Sequence, residues 1–134
     1  MCLEAYAAGI MDGDGSIQIQ ELHDRRTPVT KTRYRFIIYL AGCERAPIDL
    51  LCDQWGGGIC ETQTLTGRSY FKWWVMGDKA TRFLEDILPY LVGKTDQALL
   101  ALEFQHKDRD ATDDKAMRAR MRTLATRGKN SVTA

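Results

Sequence analysis

The sequence predicts an α+β fold: one four-stranded antiparallel sheet with helices on one face, followed by a C-terminal helical tail. Three observations predict it. Period-two alternation of apolar and polar residues marks strands at 16–22 and 31–40, strand character recurs at 59–65 and 69–76, and each pair is joined as a hairpin. A short helical segment precedes each hairpin, so an α-β-β unit occurs twice. Beyond residue 78 the apolar residues fall at three- and four-residue spacing, supplying helices to cover one side of the sheet. At 134 residues the chain is long enough for one core that stands without disulfide or metal staples.

Residues 3–12 read as a helix rich in small side chains, broken by Gly13-Asp14-Gly15. In the strand at 16–22, Ile17 and Ile19 oppose Ser16, Gln18 and Gln20. A loop with Pro28 leads to the strand at 31–40, where Arg33, Arg35, Ile37 and Tyr39 share one face and Tyr34, Phe36, Ile38 and Leu40 the other. Residues 46–54 form a second helix; Pro47 fits its first turn, and Ile48, Leu51 and Trp55 are spaced for one face. Gly56-Gly57-Gly58 ends it, and the second hairpin turns at Thr66-Gly67-Arg68. Helices follow at 79–89 and 94–105, then a basic, weakly apolar helix at 113–126, with 130–134 expected to be disordered. This organisation divides the chain into a domain over 1–105 and a tail over 106–134.

Charge is informative once divided. Lys plus Arg is 19 and Asp plus Glu is 18. Residues 1–102 carry a net −2 and residues 103–134 a net +3, while 25–35 holds Arg25, Arg26, Lys31, Arg33 and Arg35 with no acid. Bulk polyanion binding is not indicated; a locally basic strand and loop is. Cys2, Cys43, Cys52 and Cys60 make no CxxC pair and there are two histidines, which argues against structural zinc and for reduced, intracellular thiols. No stretch approaches the roughly 18 apolar residues of a membrane span, and no signal-peptide layout opens the chain.

Ala5, Ala8, Gly9 and Asp12 recur at three- and four-residue intervals, a strip that lets another backbone approach closely. The partner is either a helix of the same chain or the same helix of a second copy across a two-fold axis. Asp12 and Asp14 stand at the C-terminal end of that helix, where the dipole disfavours carboxylates. A divalent cation would compensate them, and a pair of such sites suits Mg²⁺ and phosphodiester hydrolysis. A calcium loop beginning at Asp12 fails, because its sixth and twelfth positions are Ile17 and His23 rather than Gly and Glu. The sheet's uncovered face is expected to carry Gln18, Gln20, Arg33, Arg35, Glu61, Gln63 and Lys72, long polar side chains suited to base edges and phosphates. Arg33 and Arg35 suit guanine or phosphate; Gln18, Gln20 and Gln63 suit adenine. Trp73 and Trp74 alternate, so at least one is core.

Residues 6–17, Tyr-Ala-Ala-Gly-Ile-Met-Asp-Gly-Asp-Gly-Ser-Ile, resemble the signature of the LAGLIDADG homing endonucleases. Gly56-Gly57-Gly58-Ile59 is similar to that family's glycine turn into the second hairpin, and Tyr70-Phe71-Lys72-Trp73-Trp74 to its aromatic fourth strand. The run Phe83 to Leu91 with Pro89, followed by Lys94 and Gln97-Ala98, is similar to its helix, proline and following lysine. The resemblance spans roughly 3–105.

It implies an αββαββα domain whose sheet straddles the major groove of double-stranded DNA. It also implies a homodimer, since there is one motif, joined through the motif helix at Ala5, Ala8, Gly9 and Asp12. Asp14 would hold the metal, with the Gly13 carbonyl as a secondary contact, and Lys94 would steady water or developing charge. The metal implied is Mg²⁺, with Mn²⁺ able to substitute; no organic cofactor and no membrane are implied. The loop with Arg25, Arg26 and Lys31 would reach the outer end of each half-site, and Arg68 would add to the DNA contacts. One departure is evident: the polar residue that the family often places after the second strand falls near Gly42, so Glu44 would have to substitute in positioning water. The expected activity is site-specific, metal-dependent cleavage of both strands at a pseudo-palindromic target, in an intron-homing setting. The alternatives are a non-cleaving DNA-binding regulator or intron-splicing helper of the same fold, and a purely structural homodimer.

Overall fold

The computed structural model describes residues 2–24, 31–106 and 111–131. The order is α1 (Leu3–Asp14), β1 (Gly15–Asp24), β2 (Lys31–Gly42), α2 (Arg45–Trp55), β3 (Gly58–Gln63), β4 (Ser69–Met76), α3 (Gly77–Ile87), a 3-10 turn (Leu88–Tyr90), α4 (Thr95–His106) and α5 (Ala111–Ser131). The four strands form one antiparallel sheet in the order β1-β2-β4-β3, so the second strand of each hairpin lies inside. The α+β architecture with its helical tail is therefore as the sequence predicts.

Alternation decides which face is covered. Ile17, Ile19, Phe36, Ile38, Leu40, Trp73 and Val75 turn under the helices and join Met11, Ile48, Leu51, Phe83, Leu84, Ile87 and Phe104 in one core. At its centre Phe83 meets Trp55 and Trp73 edge-on, with ring centroids 4.9 and 5.1 Å away. The two indole N–H groups are both satisfied, Trp73 donating to the Gly56 carbonyl at 2.8 Å and Trp55 to the Asp86 carboxylate at 2.9 Å. Of the two adjacent tryptophans, Trp73 is the core residue and is fully buried. Gly57 and Gly58 are glycines for a local reason: Gly57 has φ +96°, and a Cβ at either residue would collide with Trp74.

Three sequence expectations are corrected. First, α1 does not stop at Asp12; it runs through Gly13 to Asp14. Second, Glu61 and Gln63 do not lie on the uncovered face. Glu61 pairs with Phe71 and Gln63 with Ser69, whereas Lys72 is opposite Cys60, so the two polar residues of β3 take the helix-side face, where they remain exposed. Third, the tail helix is longer than the 113–126 expected, running from Ala111 to Ser131. This tail helix packs: Met121 is 2% exposed, Met117 and Leu124 line the core, and Arg118 reaches Glu21 at 3.4 Å. Burial, and then the charge of Glu21, pushes the nearby Tyr34 phenol above the usual tyrosine range. Among the described residues, no helix is long and apolar enough to cross a membrane.

Candidate nucleic-acid interface and carboxylate site

The last turn of α1 brings the two aspartates of the motif into different surroundings. The Asp12 carboxylate accepts three backbone N–H groups, from Val92 at 2.8 Å and from Gly93 and Lys94 at 3.0 Å each. It thereby occupies the positive end of α4, where a carboxylate is stabilised. Lys94 reciprocates: its Nζ donates to the Asp12 carbonyl at 2.8 Å, placing a cation at the negative end of α1. The two helix ends are thus latched by opposite charges. Asp12 is turned into its own chain, so its side chain is not part of an outward interface.

Asp14, two residues further on, is exposed, immediately before Gly15 opens β1 opposite Leu40. No hydrogen bond or ion pair engages its carboxylate among the described residues. The structure therefore puts Asp14, the Gly13 peptide and Lys94 at one helix end. Glu44 is not brought there by any described contact; it is the exposed residue preceding α2, and its side chain does not cap that helix. Gly42, at the end of β2, has nothing within 4 Å of where a Cβ would stand.

The rest of the α1 strip divides in two. Ala8 is fully buried in its own core, a correction to its expected place on an outward face, and Ala5 is half-buried. Tyr6, Gly9 and Gly13 are exposed, and neither glycine has any atom within 4 Å of a notional Cβ. Their lack of bulk has no use inside the chain.

The uncovered face of the sheet is set by register. Ser16 lies opposite Tyr39, Gln18 opposite Ile37, Gln20 opposite Arg35 and Leu22 opposite Arg33. On the other side of β2, Met76, Trp74 and Lys72 continue the same face opposite Ile37, Tyr39 and Ala41. Among the residues of this face whose side chains are described, three are basic and none is acidic. Arg35 Nε donates to Gln20 Oε1 at 3.1 Å, Gln20 Nε2 donates to the Tyr39 hydroxyl at 2.9 Å, and the Lys72 ammonium lies 4.0 Å above the Tyr39 ring. Gln18 donates to Ser16 Oγ at 2.9 Å. Arg68 is exposed in the β3–β4 turn, which Thr64 locks by hydrogen bonds with Thr66 and Arg68. Arg25 and Arg26 lie outside the described residues, and Lys31 is described only as the first position of β2. Tyr39 was absent from the sequence-based set of site residues, although the alternation of β2 had already placed it on the face of Arg35.

No family model matches the sequence, and no curated protein does. Solved structures do. The homing endonuclease I-CvuI, in complex with the I-CreI target in the presence of Mg and with its DNA not cleaved, is 23% identical, with a TM-score of 0.70 over 90% of this chain and 80% of that one. The archaeal intron-encoded homing endonuclease I-Vdi141I, complexed with DNA, is 20% identical, with a TM-score of 0.61 over 76% of this chain and 65% of that one. The LAGLIDADG homing endonuclease I-SmaMI, bound to cleaved DNA, is 17% identical, with a TM-score of 0.60 over 75% of this chain and 34% of that one. The double α-β-β unit, the sheet order and the helix cover are the fold of the LAGLIDADG homing endonucleases.

Proposed function

We propose that the chain is a LAGLIDADG endonuclease that cuts both strands of a pseudo-palindromic DNA site as a homodimer, using Mg²⁺ or, in its place, Mn²⁺. The observation that carries this reading is Asp14: an unengaged carboxylate at the exposed helix end that Lys94 also reaches, at the margin of a sheet face whose described charged side chains are all basic.

The donor set fits a divalent metal only if it is shared. Among the described residues no three His, Cys, Asp or Glu side chains cluster, and Mg²⁺ takes one or two carboxylates and fills its remaining positions with water and phosphate. Asp14 and the Gly13 carbonyl would supply one chain's share; the second copy and the scissile phosphates supply the rest. The metal, when bound, activates water and offsets charge on the phosphate. The remaining work falls to the chain. Asp12 holds the end of α1 against α4 through its three N–H bonds. Lys94 keeps two of its three N–H bonds for developing negative charge. Glu44, two residues beyond Gly42, takes the water-orienting part. Arg33, Arg35, Lys72, Gln18 and Gln20 contact DNA from the sheet, with Arg68 and the loop carrying Arg25, Arg26 and Lys31 farther out. The exposed Tyr6-Gly9-Gly13 strip, flanked by Ala5, is the dimer contact.

One observation favours a second reading, a DNA-binding regulator or splicing helper that does not cut: Gly42 offers no side chain to position water. Selection from a randomised duplex library separates the two. Recovery of a two-fold site cut in Mg²⁺, intact in Ca²⁺ and intact with Asp14→Asn supports the endonuclease. Specific binding without cutting in either Mg²⁺ or Mn²⁺ supports the regulator.

A further inference from the structure

The polar network on the uncovered face has a direction. Arginine has donors and no acceptor, so the Gln20 atom facing Arg35 Nε must be Oε1, and this fixes the amide's orientation. Nε2 then faces the Tyr39 hydroxyl, which must accept. A phenol that accepts one hydrogen bond has its own O–H proton to give elsewhere. The donor sense therefore runs Arg35 to Gln20 to Tyr39 and out of the protein. Lys72, resting on the Tyr39 ring at 4.0 Å, adds an ammonium with donors only. Among the described residues no hydrogen bond or ion pair reaches the two terminal amino groups of Arg35.

We infer that Tyr39 is a positioning residue that makes this part of the sheet read hydrogen-bond acceptors, and that the base it selects beneath Arg35 is guanine, through O6 and N7, rather than adenine. The inference rests on the DNA-binding reading above and deepens it. It reassigns Gln20: both amide atoms are already committed to neighbours, so Gln20 aims Arg35 instead of making the paired contact to adenine that a free glutamine makes. Acceptors come from two sources, base edges and phosphates. The site lies across the inner strand β2 and its two neighbours, not on the rim, which favours the base edge.

The test is selection of bound duplexes in Ca²⁺ with wild type, Tyr39→Phe and Gln20→Ala, followed by affinity measurements in which each selected guanine is replaced by 7-deazaguanine. Tyr39→Phe keeps the ring beneath Lys72 and removes the hydroxyl. The wild type is expected to select a guanine in each half-site and to lose about tenfold in affinity when its N7 is removed. Tyr39→Phe and Gln20→Ala are each expected to lose about tenfold more on the selected duplex than on random duplex, with the guanine preference relaxed at that one position. Selection of adenine there, or a preference untouched by Tyr39→Phe, overturns the inference while leaving DNA binding in place. Salt-dependent binding with no selected sequence also overturns it, by assigning the donors to phosphate. Absence of binding to any duplex overturns it together with the proposed function.

Discussion

Asp12 and Asp14 are the same amino acid two positions apart, and the fold employs them differently. Asp12 accepts three N–H bonds, so Asp12→Asn places an NH₂ group where only acceptors fit. A loss of about 1–3 kcal/mol is expected in urea unfolding. Asp14 touches nothing that holds the fold together, and Asp14→Asn is expected to change stability by less than about 0.5 kcal/mol. The same substitution is expected to remove cleavage of a bound site, read by gel assay in Mg²⁺. Equal stability losses in the two variants would contradict this division. Gly42 gives a gain-of-function test: a side chain has room there, so Gly42→Gln is expected to raise the cleavage rate about tenfold by orienting water. An unchanged rate would mean that Glu44 or another group already does this. The sequence made Asp14, Gly13 and Lys94 legible because the motif fixes their order. It did not reveal the three donors to Asp12, since these lie 80 to 82 positions away.

In α1, glycine at positions 9 and 13 destabilises the helix by roughly 1 kcal/mol per residue relative to alanine. Inside the chain nothing occupies the space so created. Gly9→Ala is therefore expected to raise the melting temperature at high dilution and to weaken self-association, read by calorimetry and sedimentation. Tighter association in Gly9→Ala would remove this strip from the dimer contact. The pairing of α5 with β1 and β2 is open to a pH test. Below about pH 10 folded and unfolded chains both keep the Tyr34 proton. Above it the unfolded chain releases first, because the folded phenol titrates higher, and stability falls as pH rises. Tyr34→Phe is expected to flatten that decline between about pH 9 and 11 in urea unfolding. The two hairpins were legible because β1 and the first half of β2 alternate and β4 is a short aromatic run bounded by turn residues. The face of Glu61 was not, because β3 carries one large apolar residue, Ile59, and its register depends on Trp73 and Trp74 across the ladder. The extent of α1 was hidden for a related reason. Gly13 reads as a breaker, and the lysine that holds the helix end arrives from the turn before α4.

The molecule as a whole is nearly neutral, at +1, yet the described charged side chains of its strands are sorted by face. Glu21 and Glu61 fall on the helix side, while Arg33, Arg35 and Lys72 fall on the other. Net charge alone concealed this, and only alternation along the strands separated the signs. Two copies presenting this face to one duplex are expected to lose about a thousandfold in affinity between about 50 and 200 mM salt. A flat salt response in a binding titration would remove the sheet from the interface. The latch between Asp12 and the Lys94 turn has a further consequence, in time rather than in space. It closes a loop containing both hairpins, and closing so long a loop costs less entropy once the segments between its ends are ordered. The end of α1 is therefore expected to be among the last parts of the chain to take its final shape. Nascent, nicked or half-folded copies would carry the Asp14 side chain without the support that aims it, and the proposed cleavage would stay silent until folding is complete.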